Sequence, residues 1–258
     1  MSIVLTEDRG RVRHVVLNRA EKRNAMNGEL LLAAAAALRE AAQDPEVHVV
    51  VLRGDGPMFS AGVDLTELAG QGDPHTLRRF RQVFLDVPNT AEAMTKPVVC
   101  QIQGGAIGGA LEVALGCDFR VAATDAVMGL PEVRLGLIPD VGGSSRLPAL
   151  VGLGRAKDLI MTGRLISGEE AERIGLASRV APPDELEAAT QGLVDELLAC
   201  SPVAVGLAKR VLDNVARPTL GASLELEVAL QETCMRSEDF GEAVQAYMEK
   251  RQPAFAGK

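Results

Sequence analysis

Three carboxylates occupy places in the sequence where a charge is costly. Glu112 lies in Ala110-Leu111-Glu112-Val113-Ala114-Leu115, where every neighbour is apolar. A helix made of those residues should be buried, and a buried carboxylate must be partnered or protonated. Glu132 follows in Leu130-Pro131-Glu132-Val133, and Asp140 in Ile138-Pro139-Asp140-Val141-Gly142-Gly143. Acids buried near one another push their pKa values apart, so that one holds a proton while another accepts one. General acid–base chemistry needs that division. Each residue also has a purely structural use. Glu112 suits the first turn of a helix, where it meets the helix dipole. Glu132 suits a turn cap, and Asp140 reads equally as catalyst and as N-cap of the helix that follows.

Two glycine-rich turns accompany the acids. Pro57-Met58-Phe59-Ser60-Ala61-Gly62-Val63-Asp64-Leu65 comes after one strand-like segment. Gln103-Gly104-Gly105-Ala106-Ile107-Gly108-Gly109-Ala110-Leu111-Glu112 comes after another and leads into a helix. Small residues let the backbone turn sharply and let a ligand approach it. Unpaired N–H groups at a helix start favour negative charge. Together the turns are able to aim two N–H groups at one oxygen, as an oxyanion hole whose donors are each worth about 3 kcal/mol of barrier. Either turn alone reads as readily as a tight strand-to-helix connection.

Other chemistries find little support. There is no G-x-x-x-x-G-K-[ST] loop, Gly54-Asp55-Gly56 lacks a third glycine, and Gly142-Gly143-Ser144-Ser145-Arg146 breaks the G-x-S-x-G pattern. His14, His48 and His75 have no metal-ligand spacing and read as structural or surface residues. Cys100, Cys117, Cys200 and Cys234 are far apart in apolar contexts and read as buried reduced thiols of a cytoplasmic protein, with no metal site. The net charge of -8, with 27 basic against 35 acidic residues and no basic tract, argues against nucleic acid. The longest uncharged apolar run, residues 30–38, is far short of the roughly 20 residues a membrane span needs. No basic, apolar leader precedes the first strand-like segment, so no signal peptide is expected.

The elements that must position the acids alternate. Residues 11–17, 46–52, 97–102 and 118–123 are rich in β-branched residues and read as strands. Residues 28–42 and 74–93 read as helices, with a short helix beginning near Gly108. The alternation predicts an α/β fold with a mostly parallel sheet. Ser167 with Glu170 has capping-box spacing, and Ser201-Pro202 reads as N-cap and first helical position. After Pro182-Pro183 the chain reads as at least three helices. The expected organisation is an α/β core over residues 1–195, holding the active site, and a helical region over 196–258.

At these residues the sequence resembles the crotonase superfamily, the enoyl-CoA hydratase/isomerase family. The resemblance spans nearly the whole chain. It runs from Leu17-Asn18-Arg19-Ala20-Glu21-Lys22-Arg23-Asn24-Ala25-Met26 through both glycine turns to Thr162-Gly163-Arg164 and Tyr247-Met248-Glu249-Lys250-Arg251. It implies a spiral of ββα units with a C-terminal helical trimerisation region, assembled as a homo-trimer or dimer of trimers. It implies an acyl-CoA thioester substrate, with coenzyme A part of that substrate and no further cofactor. Val63 and Gly109 match the family's oxyanion-hole donors, and Glu112 and Glu132 match the two glutamates that add water across the C2–C3 double bond in the hydratases. Lys22, Ala61, Asp64 and Leu65 match the surroundings of the adenine end of CoA. Tyr247 and Lys250, reached from a neighbouring subunit, match positions over the acyl chain and phosphates. An acidic chain binding an anionic ligand needs such local basic groups. Gln103 and Ala110 depart from a common Asn and Gly. Asp140 is the departure that matters, because the dienoyl-CoA isomerases resemble this chain in carrying an acid there and use it with the acid at position 132. Hydration comes first because of the two glutamates; double-bond isomerisation through Glu132 and Asp140, and acyl-CoA binding without turnover, are the alternatives.

Overall fold

The structure is a computed structural model that describes residues 2–64, 66–67 and 74–257, without the side chains of residues 74–77. One six-stranded sheet runs in the order β1 (Val4–Arg9), β2 (Val12–Leu17), β3 (Val49–Gly54), β4 (Val98–Ile102), β6 (Phe119–Ala123) and β8 (Arg179–Ala181). β1 and β2 pair antiparallel around a turn at Gly10, and every other pair is parallel. The valines of β3 are buried on both faces, which a sheet covered by helices requires. The four segments expected as strands are β2, β3, β4 and β6. β3 starts at Val49 rather than 46, because the Asp44 side chain accepts from the Glu46 amide and holds a turn there.

A second, smaller layer was not expected. β5 (Gly105–Ile107) pairs parallel with β7 (Val127–Gly129). Single bridges extend it: Ser60 to Ala106, Met26 to Val63, and Met128 to Ile166. The chain thus leaves the large sheet at β4, crosses the small layer at β5 and enters a helix, then repeats the first two steps through β6 and β7. Both glycine turns lie in this small layer.

The helices cover the sheet. α1 (Gly28–Gln43) is capped by Asn27, whose side chain accepts from the Leu30 amide at 3.0 Å, and it buries Leu30, Leu31, Leu38 and four alanines. α2 (Pro74–Ala93) packs beside it. All seven residues of α3 (Gly109–Leu115) are buried. α4 (Gly143–Val151), α5 (Leu153–Thr162) and α6 (Gly168–Arg173) follow, the last capped by Ser167 as its spacing implies. α7 (Leu186–Leu198) lies against β4, β6 and β8. α8 (Pro202–Ala216), capped by Ser201, α9 (Leu220–Met235) and α10 (Glu238–Glu249) complete the chain.

No single helix among the described residues is long and apolar enough to cross a membrane. Cys100 and Cys117 are buried, but Cys200, just past the end of α7, is exposed and Cys234, in the last turn of α9, is half-buried; the expectation of four buried thiols fails at these two. His14 is buried on β2, His48 stands beside Arg11, and the side chain of His75 lies outside the description.

Candidate active site

The two glycine turns run side by side. Phe59 and Ser60 donate their amides to Gln103 O and Gly105 O at 2.9 and 3.2 Å. Gly62 adopts φ of +97°, and a β-carbon there would collide with Ile107 O and lie 3.7 Å from Gly109 N. Glycine is therefore required for the close approach. Met26 N donates to Gly62 O and Asp64 N to Met26 O, so this bridge uses the amides on either side of Val63 and leaves the Val63 N–H out. Gly109 is the first residue of α3, where an N–H has no partner within the helix. Among the described residues neither amide meets an acceptor.

The acids gather around these turns. Gly108, at φ +57°, faces Glu132: a β-carbon on it would fall 2.9 Å from Glu132 Oε1. Glu132 opens a 3₁₀ turn (Glu132–Leu135) whose N-cap is Pro131. Its Oε2 is sealed from solvent with no hydrogen-bond partner among the described residues. Glu112, 2% exposed, does not simply meet its own helix dipole. Its Oε1 accepts the Val141 amide at 2.9 Å and the Gly143 amide at 2.8 Å. Asp140 is not a cap: the N-cap of α4 is Gly142, with no side-chain cap bond. The Asp140 side chain, 16% exposed, instead has Oδ2 3.4 Å from Nε of Arg81.

Burial raises the pKa of all three acids, and mutual repulsion adds to it. Glu112 is held well above the usual carboxylate range by burial and then by the charges of Glu132, Asp140 and Glu227, with the Gly143 amide opposing. Glu132 is pushed up to about 8 by burial, with Asp140 adding. Asp140 is pushed up to about 7 by burial, against the pull of Arg81.

Three further residues complete this wall and were not singled out from the sequence. Phe84 on α2 is buried so closely against Gly109 that a β-carbon there would come 2.5 Å from its ring. Arg81, one turn earlier on the same helix, is 6% exposed. Glu227 on α9 is a fourth buried acid, 4% exposed, from the helical C-terminal region, where the sequence pointed only to Tyr247 and Lys250. No local signal marks it, since Leu224-Glu225-Leu226-Glu227-Val228 offers two equivalent glutamates.

The remaining expected contacts fall in two places. Lys22 and Ala61 are exposed at one corner, where Ala61 N donates to Arg23 O and Asp64 is held by Arg19 Nη1 at 2.6 Å. Leu65 lies outside the described residues. Tyr247, 57% exposed, and Lys250 are on the surface of the single chain at the end of α10. Two surface depressions of about 300 and 520 Å³, one beside His48 and Leu207, the other beside Arg79 and Asp86, are not lined by the acids.

Residues 7–258 match the family model for enoyl-CoA hydratase/isomerase. The chain belongs to that family. An enoyl-CoA isomerase/hydratase of Mycosarcoma maydis is 38% identical over 96% of this chain and 93% of its own length. A short-chain-enoyl-CoA hydratase of Clostridium acetobutylicum is 36% identical over 96% and 95%. The crystal structure of an enoyl-CoA hydratase from Mycobacterium avium subsp. paratuberculosis K-10 superposes with a TM-score of 0.88 at 29% identity, covering 98% of each chain. The crotonase fold expected from the resemblance is therefore the fold of this family member.

Proposed function

We propose that the protein is a 2-enoyl-CoA hydratase. The observation that carries this reading is Glu132: a carboxyl with one oxygen buried and unpartnered, set against the glycine turn whose Gly109 amide is an unused donor. In the proposed reaction the thioester oxygen accepts from Val63 N–H and Gly109 N–H, which stabilise the enolate-like charge. When the buried pair is singly ionised, Glu112, whose Oε1 is fixed by two amides that oppose the upward pull of burial, carries the charge, holds a water and takes its proton as the oxygen bonds to C3. Glu132, held protonated at neutral pH by burial, delivers a proton to C2 on the same face. The product is a 3-hydroxyacyl-CoA, and the two glutamates exchange protons with solvent to reset.

Lys22, Ala61 and Asp64 would border the adenine end of CoA, with Leu65 beyond them in the chain. Tyr247 and Lys250 would serve a neighbouring subunit's substrate. Val203, Leu207, Val211 and Val215 of α8 are 56–75% exposed, an apolar face that supports assembly of chains as a homo-trimer or dimer of trimers through residues 196–258. No cofactor beyond the substrate's own CoA enters the scheme. Incubation with crotonyl-CoA should remove the conjugated enoyl absorbance; no change with any 2-enoyl chain length overturns the reading. Asp140 supports a second reading, migration of a 3,5-diene with Glu132 and Asp140 as the proton carriers. Asp140→Asn should then abolish migration while sparing hydration, and unaffected migration removes it.

A further inference from the structure

The segment 140–145, which runs from a loop into the first turn of α4, is held from two directions. Its amides alternate between acids: Val141 and Gly143 donate to Glu112, and Gly142 between them donates to Glu227 Oε2 at 3.0 Å. The other oxygen of Glu227 accepts from Ser145 Oγ at 2.5 Å. Gln231, one turn further along α9, accepts from the Ile138 amide at 2.9 Å. Arg81 completes the arrangement from α2. It donates to Asp140 O at 2.7 Å and Leu224 O at 2.6 Å, and its guanidinium stands 3.4 Å from Asp140 Oδ2 and 3.8 Å from Glu227 Oε2. One cation is thus shared between two acids. The groups whose charges act on Asp140 or feel it are Arg81 from α2, Glu227 and Cys234 from α9, Glu112 from α3 and Glu132 from the 3₁₀ turn.

We propose that Arg81 and Glu227 are positioning residues that set the charge of Asp140 from opposite sides, Arg81 holding its carboxylate and Glu227 competing for that guanidinium while fastening the loop. The inference rests on the reading that Asp140 borders the acyl chain, and it brings α9 into the acid–base machinery. An ionised Asp140 with Glu132 protonated gives a proton acceptor and a donor along an extended acyl chain. A neutral Asp140 leaves only the Glu112–Glu132 pair. The Arg81–Glu227 balance therefore decides whether the Glu132–Asp140 route opens beside the Glu112–Glu132 pair.

The test is a ¹³C NMR titration of the Asp140 carboxyl in the ligand-free protein, assigned with Asp140→Asn, beside hydration and diene-shift assays. Glu227→Gln keeps an acceptor for Gly142 and turns its amide to donate to Ser145 Oγ, so it removes the charge while giving up only the Ser145 N–H contact. Its Asp140 midpoint should fall by at least ~0.5 pH unit, because a repelling charge is gone and Arg81 is undivided. In Arg81→Gln, which retains donors for the two carbonyls, the midpoint should rise by at least as much. Gln231→Leu loosens the neighbouring backbone at Ile138 without touching either acid or Arg81 and should leave the midpoint in place. Midpoints that stay fixed, or that move the same way in both charge variants, overturn the proposal. Where only one variant folds, the direction of its shift decides. A wild type inert toward 2-enoyl and 3,5-dienoyl thioesters would end the functional reading, while the opposed shifts would still establish the balance.

Discussion

Lys209 on α8 and Glu112 on α3 are about equally hidden, 7% and 2% exposed, yet their surroundings differ in kind. Lys209 Nζ donates to Ala91 O at 2.6 Å, Asp118 Oδ2 at 2.8 Å and Lys96 O at 3.3 Å. Three donors meet three acceptors, one of them an opposite charge. Arg120 is similar, fully buried and satisfied by the carbonyls of Leu176, Cys117 and Ala114. Around Glu112, the charges of three further acids add to the cost, Arg81 pairs with Asp140 and Glu227, and an oxygen of Glu132 has no partner among the described residues. Burying a charge costs free energy in both regions. In the Lys209 region the chain offsets much of that cost: burial still raises the Asp118 pKa, but Lys209 and the Val98 amide pull it back. In the acid region it does not, and pKa values are left near the pH at which protons must move. Burial alone does not mark a reactive site; several uncompensated acids gathered beside unused backbone donors do.

The largest effects should separate the two regions by what they change. Glu132→Gln or Glu112→Gln should cut hydration of crotonyl-CoA by ~10³-fold, within the range general acid–base groups contribute, while the thermal midpoint holds or rises. A variant that keeps wild-type turnover within about threefold would make the acid region as structural as the lysine. Lys209→Met should do the reverse. It leaves Asp118 buried without its cation, a loss of about 3–5 kcal/mol in urea unfolding, while turnover per folded molecule stays within about twofold. Lost turnover at unchanged stability would erase the distinction.

The acids were legible because their immediate neighbours are apolar, so a charge there contradicts its context. Glu112 in Ala110-Leu111-Glu112-Val113 announces itself; Glu227 does not, since its neighbours alternate charged and apolar residues and nothing local says which glutamate turns inward. Arg81 is hidden for the same reason in Arg78-Arg79-Phe80-Arg81. Its burial is decided by Asp140 and Leu224, distant in sequence. The large sheet was visible in its β-branched segments. The small layer was not, nor was β8 at the edge of the large sheet, because β5, β7 and β8 have three residues each and two-residue periodicity needs more. β1 escaped because only Val4 of its six residues is buried. The corner of Lys22, Ala61 and Asp64 rests on resemblance rather than on chemistry readable in the residues themselves.

The smallest effect is the most discriminating in sign. Asp140 has an ordinary pKa of 3.8 and a folded value of about 7. Between these pH values the folded chain holds a proton that the unfolded chain has released, so this group's contribution to stability is complete below pH ~4 and is lost as pH rises through 7. Asp140→Asn removes the titration. The variant should match wild type near pH 4 and gain on it steadily, to about 1–2 kcal/mol at pH 8. That is below the full linkage value of ~1.4 kcal/mol per pH unit, since residual solvent at the 16% exposed side chain eases the ionised state. Urea unfolding at pH 4, 6 and 8 measures it. At pH 8, deleting a charge from the acid region should stabilise the protein, whereas deleting one from the Lys209 region should destabilise it. Equal signs at that pH would mean that Asp140 is compensated after all, and that the acid region is no less complete at rest than the pair formed by Lys209 and Asp118.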